Sequence, residues 1–339
     1  MAGYENYGLE SGKLVNPNDI PRFLDISEDF EDKGVPILDQ RSVKLNGITN
    51  DQQHWRDYGY VIKRNFIPHD LIDEYINIRT KLNLGDGLFP HVVPYLYHSA
   101  IRDMCCSREL HYLLVDLVGE ELGLHFLLTG FKSTERGWHQ DDYLNPEDTV
   151  ARYAAVWMAM GDIHADSGPF EFVPGSHKWP CLRREKVKSL VIPEERYTGD
   201  HSWAVIAEYL VNKSVDQYIR ETGSEVAQFD AEKGDILIWH GKLMHRGSIP
   251  KNPNLTRPAL ISHYSNIRDR RDFSNEILRH GDGGYYWEFS SLGRVLTEDQ
   301  FERSHIDGKS KAATTASREH SKLPVWFRFG GRNAARDRG

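Results

Sequence analysis

Hydrophobic positions along this chain keep two different periods, and the change between them falls near residue 124. Before it, Leu71, Tyr75, Ile78 and Leu82 follow Pro68 at helical spacing. Leu110, Leu113, Leu114, Leu117 and Val118 form a second helical stripe that Gly119 closes. A short helix over 51–57 runs into Tyr58-Gly59, a helix stop, and Tyr60–Lys63 reads as a strand. Residues 84–106 read as irregular. Beyond 124 the apolar runs are short and separated by turns, which predicts strands over 125–131, 152–160, 170–173, 225–229, 235–239 and 258–264. A helical insertion near 204–222 interrupts them. Such a succession points to a sandwich or barrel rather than to alternating β-α-β units. Three regions follow: a polar leader, 1–45, packed on the domain; a β domain, 46–268; and a C-terminal extension, 269–339, partly lid-like or mobile.

Composition changes this picture little. Hydrophobic residues make up 39% of the 339 and aromatics 11%, enough for a sizeable core. A net charge of −8 counts against a nucleic-acid-binding surface, although the extreme C-terminus is basic. Cys105, Cys106 and Cys181 lack metal-site spacing and read as buried thiols. The N-terminus has no basic-then-apolar signal pattern, and no apolar run reaches the roughly 18 residues a membrane span needs. The expectation is a cytoplasmic protein, monomer or homodimer, with a small-molecule substrate and neither nucleic acid nor membrane as partner.

The candidate chemistry lies at Trp138-His139-Gln140-Asp141. On extended chain, a His and an Asp two apart share a face, and a distant second His completes a facial two-His-one-carboxylate set suited to non-haem Fe(II). Four His-x-Asp triplets occur among the 16 His: His139/Asp141, His164/Asp166, His280/Asp282 and His305/Asp307. The stretch Gly234–Gly247 supplies an apolar strand ending in His245, and Arg257 opens the next strand. A hairpin between those strands would bring His245 and Arg257 into one site. An Arg there suits a cosubstrate carboxylate, which its planar fork grips bidentately. Only triplets before 245 use this pair in order. His164/Asp166 lies in turn-forming sequence, where nothing puts its side chains on one face.

The ordered set His139-Gln-Asp141, Trp157-Met-Ala-Met160, Ser167-Gly-Pro, Val173-Pro-Gly-Ser-His177, His245 and Arg257 resembles the phytanoyl-CoA dioxygenase family, over about residues 52–264. The resemblance implies a mainly β fold with flanking helices, a double-stranded β-helix of the cupin-like jelly-roll type. It implies Fe(II) held by His139, Asp141 and His245, with 2-oxoglutarate as cosubstrate and O2 as oxidant. Arg257 would pair with the far carboxylate of 2-oxoglutarate, and Trp157 would wall its pocket. Related halogenases carry Gly or Ala where Asp141 stands, so the carboxylate favours hydroxylation, or desaturation or ring closure, of a C–H bond. His177 is expected to hold its turn. Substrate-side candidates are Trp138, Gln140, His91, His98 and Lys132. The competing readings are a non-catalytic jelly-roll binding protein and a metal-dependent cupin enzyme of another class.

Overall fold

A computed structural model of the chain describes residues 20–29, 47–90, 93–145, 149–191, 203–268, 270 and 276–288. Its frame is a large sheet faced on one side by helices and on the other by a small sheet. The strands are β1 (Ser27–Glu28), β2 (Tyr60–Lys63), β3 (Leu122–Leu128), β4 (Tyr153–Ala159), β5 (Phe170–Phe172), β6 (Cys181–Leu182), β7 (Ala227–Gln228), β8 (Ile236–His240), β9 (His245–Gly247), β10 (Ala259–Asn266), β11 (Glu276–Arg279) and β12 (Tyr285–Glu288). The large sheet runs β11-β12-β3-β10-β4-β8-β2, the small one β7-β5-β9, and β1 pairs with β6 alone. This is the expected double-stranded β-helix with flanking helices.

Central strands are buried on both faces, so they read as unbroken apolar runs. Along β4, Tyr153, Ala155, Trp157 and Ala159 turn toward the small sheet, and Ala154, Val156 and Met158 turn toward the helices. The inner face of β8 presents Leu237 and Trp239, and that of β10 Ala259 and Ile261. The helical layer contains α1 (Asn50–Tyr58), α2 (His69–Lys81), α3 (Ser99–Cys105) and α4 (Arg108–Val118). Further on lie α5 (Arg184–Lys188) and the insertion helix α6 (Trp203–Thr222).

Helix α1 has both punctuation marks its sequence offers. Thr49 caps it by accepting from Gln52 N at 3.2 Å, the Gln52 side chain accepts from Thr49 N at 2.9 Å, and Gly59 ends it at φ +78°. A Cβ on Gly59 would lie 2.5 Å from His177 Nδ1. Gly59→Ala therefore combines a left-handed backbone penalty with overpacking and should cost on the order of 2–3 kcal/mol. Urea unfolding midpoints would measure it. Adding His177→Ala should recover the steric part and leave the backbone part.

Four sequence expectations need correction. The strand expected over 125–131 is shifted to Leu122–Leu128. Residues 129–131 leave the ladder because other partners take their backbone: Arg79 donates to Thr129 O, and Phe131 binds Asp86 O and Arg257 N. The stretch 84–106 contains helix α3, whose buried Ala100, Ile101, Met104 and Cys105 keep helical spacing. No hairpin joins the strands of His245 and Arg257: β9 belongs to the small sheet with β5, whereas β10 lies between β3 and β4. Residues 276–288 form a β11–β12 hairpin that extends the large sheet beside β3. Apart from Arg270, the rest of the extension, with the His305/Asp307 triplet, lies outside the described residues. Of the leader, 20–29 are described: Phe23 is buried against Trp179 and Tyr218, and β1 pairs with β6.

Candidate functional site

His139 and His245 are brought together by main chain. Their backbones form an isolated antiparallel bridge, each N–H donating to the other's carbonyl at 3.0 Å. Directly opposed residues share a face, and the two rings stand 4.2 Å apart between centroids. Asp141 enters at the next turn, where its N–H and that of Asp142 both donate to Gly241 O. Gly241 is required at this approach, since a Cβ would lie 2.3 Å from Asp142 Oδ1. A well-formed turn thus supplies Asp141 beside the histidine pair.

Hydrogen bonds fix how each of the three side chains presents itself. His139 Nδ1 donates to Gly137 O and His245 Nδ1 to Leu243 O, each at 2.8 Å. A carbonyl only accepts, so both protons sit on Nδ1 and both Nε2 lone pairs are free. Trp239 Nε1 donates to Asp141 Oδ2 at 3.0 Å, leaving Oδ1 facing His139 Nε2 at 3.8 Å and His245 Nε2 at 3.7 Å. The three ligand atoms lie within 4.8 Å of one another, and all three side chains are buried. Burial pushes both imidazoles down, with the Arg136 charge adding to the effect at each, so both are neutral as metal ligation demands. Two imidazoles and one carboxylate, with no fourth ligand in the group among the described residues, fit a metal that keeps open positions.

The neighbouring Asp142 is a different kind of group. Burial raises its carboxyl to about 7, and its Oδ2 accepts from Ala151 N at 3.0 Å. The two remaining triplets that are described do not assemble a site. His164 is exposed and its Nδ1 accepts from Asp166 N. His280 pairs with Asp103 at 2.7 Å, and Asp282 with Arg108 at 3.2 Å.

Arg257 is buried, 2% exposed. Its Nη1 donates to Gly168 O at 3.1 Å and its Nη2 to Lys132 O at 3.4 Å, while Nε has no partner among the described residues. No carboxylate among those residues pairs with it, and burial alone lowers it to about 10. Trp157 lies on the inner face of β4, level with Leu237 and Ile261, edge-on to Phe229 at 5.5 Å. Its indole N–H also finds no acceptor among the described residues.

The substrate-side candidates fare differently. Trp138 and Gln140 alternate with the ligands and are engaged elsewhere. Gln140 Oε1 accepts from Leu182 N at 2.8 Å, and its Nε2 reaches Pro180 O at 3.3 Å. Trp138 Nε1 donates to Asp216 at 2.7 Å, and the Arg246 guanidinium lies 4.4 Å over its ring. Lys132 Nζ donates to the carbonyls of Pro253 and Leu255. His98 is buried at the head of α3, 5.7 Å from the Phe89 ring. His91 lies outside the described residues. His177 Nε2 donates to Arg56 O at 3.1 Å, as expected of a turn-holding residue. The same turn carries Ser176, whose Oγ accepts from Met244 N beside His245.

Helix α6 has a role that its sequence did not disclose. Glu208, Asn212 and Asp216, four apart on one helix face, accept from Gly137 N (2.6 Å), Trp138 N (3.1 Å) and Trp138 Nε1. The insertion therefore clamps the backbone immediately before His139. Asn212→Ala frees the Trp138 amide and should weaken divalent-metal affinity on the order of tenfold, as loss of an outer partner of a ligand does. Competition with a chromophoric chelator would measure it, with circular dichroism unchanged.

Comparison with known proteins adds the following. The family model described as Phytanoyl-CoA dioxygenase (PhyH) matches residues 89–257. A curated protein of Stutzerimonas stutzeri, named probable alpha-ketoglutarate-dependent hypophosphite dioxygenase, is 24% identical over 175 residues. That match spans 51% of this chain and 55% of the relative, so the chain matches about half of its length. Among solved structures, the epimerase SnoN in complex with Fe3+, alpha ketoglutarate and nogalamycin RO is 17% identical. The similarity covers 70% of this chain and 96% of SnoN, at a TM-score of 0.48. EctD from S. alaskensis, with 2-oxoglutarate and 5-hydroxyectoine, is 14% identical over 74% of this chain and 83% of that one, at a TM-score of 0.45.

Proposed function

We propose, from the premise that this chain belongs to the phytanoyl-CoA dioxygenase family, that it is an Fe(II)- and 2-oxoglutarate-dependent dioxygenase oxidising a C–H or comparable bond of a small molecule. His139, Asp141 and His245 are the iron ligands in this reading. The observation that carries it is Arg257: a buried guanidinium with no acidic partner among the described residues calls for a carboxylate from outside the chain. A dicarboxylate bound between metal and Arg257 provides one. The name of the curated relative supports a small-molecule substrate together with alpha-ketoglutarate.

Bound Fe(II) and 2-oxoglutarate supply O2 activation, with oxidative decarboxylation of the cosubstrate to succinate and CO2. The chain supplies the rest. His139 and His245 are held neutral with Nε2 presented, and Trp239 turns one oxygen of Asp141 inward. Arg257 orients the cosubstrate through its far carboxylate, and Trp157 flanks that pocket. The surrounding apolar faces of β4, β8 and β10 keep bulk water out. No helix among the described residues is long and apolar enough to cross a membrane.

The test is an anaerobic titration of metal-free protein with Fe(II) and 2-oxoglutarate, following the visible charge-transfer band of the chelate. A band in wild type that is weakened in Arg257→Ala supports the reading. Its absence in folded wild-type protein would favour a binding module, and a metal-dependent activity indifferent to Arg257→Ala would favour a cupin of another class.

A further inference from the structure

Arg79 is a buried cation that the proposed chemistry does not touch. It lies near the end of α2, 3% exposed, and no carboxylate among the described residues pairs with it. Its hydrogen bonds go to main chain instead. Nη1 donates to Thr129 O at 2.6 Å, and Nη2 donates to Gly85 O and Gly87 O, each at 2.7 Å. The guanidinium carbon lies over the Phe131 ring, 3.8 Å from its centre.

These contacts stand where a sheet ladder ends. Strand β10 pairs with β3 only as far as Leu128, opposite Ile261. From Thr129 onward the chain is tied to the loop that follows α2. Phe131 N donates to Asp86 O at 2.9 Å, the carbonyl between the two that Arg79 Nη2 takes. Phe89 N donates to Thr129 Oγ1 at 3.0 Å. The loop sequence Leu84-Gly85-Asp86-Gly87 permits this arrangement. Gly85 is left-handed at φ +52°, and a Cβ on Gly87 would lie 2.9 Å from Leu84 O. One guanidinium thus joins two pieces of backbone that no ladder joins.

The joined backbone carries Arg257. The Arg257 N–H donates to Phe131 O at 2.6 Å, and its Nη2 donates to Lys132 O at 3.4 Å. Main chain and guanidinium of Arg257 therefore both rest on residues 131–132, which Arg79 fixes through Thr129 O and the Phe131 ring. Packing alone does not call for a cation here. Apolar side chains of similar volume commonly replace buried charged groups without loss of stability. A planar fork that meets three carbonyls and stacks on a ring sets direction as well as position, which an apolar side chain does not. Direction matters at a positioning group, where a displacement of ~1 Å costs about 10²-fold in rate.

We infer that Arg79 is a positioning residue for Arg257. It sets the Phe131-Lys132 backbone on which Arg257 rests, and through it the grip of the site on the far carboxylate of 2-oxoglutarate. The inference deepens the proposed dioxygenase reading and rests on it.

The experiment compares two keto acids on full-length, Fe(II)-loaded protein without O2, reading the visible charge-transfer band of the chelate. 2-Oxopentanoate is 2-oxoglutarate with a methyl group in place of the far carboxylate, so it chelates iron without engaging Arg257. Arg79→Lys keeps the charge and loses the fork. Its affinity for 2-oxoglutarate should fall on the order of tenfold or more, and its affinity for 2-oxopentanoate should match wild type. Added to Arg257→Ala, Arg79→Lys should weaken 2-oxoglutarate no further, because the two residues act as one unit. An equal loss for both keto acids, no loss for either, or full additivity in the double variant would overturn the inference. Should circular dichroism show Arg79→Lys unfolded, the titration is read on Phe131→Leu, which removes the ring beneath the guanidinium and leaves the backbone partners in place. The same selective loss is expected there, and its absence overturns the inference. Wild-type protein that binds the two keto acids equally would strike the cosubstrate role of Arg257 and this inference together. A preference for 2-oxoglutarate that vanishes in Arg257→Ala and stands intact in Arg79→Lys would strike this inference alone.

Discussion

His245→Ala is expected to lose metal binding and turnover together while leaving the fold in place. Metal-binding free energies of ~10–16 kcal/mol shared among four ligands amount to about 3–4 kcal/mol each. Loss of one ligand from three should therefore lower affinity on the order of 10³-fold. The fold should persist because the element that positions the site at this point is backbone: both hydrogen bonds of the 139–245 bridge survive truncation of the side chain. Asp141→Ala should be the more damaging change structurally, since it leaves the buried Trp239 indole N–H without its acceptor, at ~1–3 kcal/mol. Isothermal titration with Fe(II) under anaerobic conditions, beside urea unfolding of each variant, separates the two effects. His164→Ala is the control. Its exposed side chain belongs to the rival triplet and should change neither quantity. Full metal affinity in His245→Ala would remove that residue from the site.

What could be read in the sequence was whatever local chain geometry decides. Spacing offered four His-x-Asp triplets; the order of His245 and Arg257 together with the family resemblance singled out His139 and Asp141, and Asp141 enters from a turn rather than from extended chain. Helix α1 and strand β2 follow from a capping residue, a glycine and a β-branched run. The long-range partners were hidden. That the strand of His245 and the strand following Arg257 belong to different sheets is settled by which strands pair, and short strands of similar composition do not encode that locally. Glu208, Asn212 and Asp216 look in sequence like the solvated stripe of any surface helix. Their meaning comes from the Gly137-Trp138 amides they meet. Trp138 and Gln140 flank His139 on the chain, and their polar atoms are engaged by Asp216 and Leu182, partners that adjacency to a ligand does not reveal. The legible part of the site is thus its ligands, and the illegible part is what holds and surrounds them.

The second large effect is expected at Arg257. With its guanidinium buried and Nε unpartnered among the described residues, the ligand-free protein carries the cost of a charge that lacks a counterion. Arg257→Ala removes that cost, so the apo variant should unfold at the same temperature as wild type or a higher one. Addition of 2-oxoglutarate should then stabilise wild type strongly and the variant weakly. Truncating one partner of a buried charge pair costs ~2–5 kcal/mol, which corresponds to a rise in the KM for 2-oxoglutarate from about 30-fold to several thousand-fold. Arg257→Lys should recover little of it. Nη1 and Nη2 already serve Gly168 O and Lys132 O in a planar fork, and a single ammonium cannot hold those carbonyls and a carboxylate in the same arrangement. Fe(II) affinity measured without cosubstrate should be unchanged in both variants, since Arg257 is no ligand. A KM for 2-oxoglutarate unaltered in Arg257→Ala would place the cosubstrate carboxylate elsewhere and leave the buried guanidinium to its two carbonyl contacts alone.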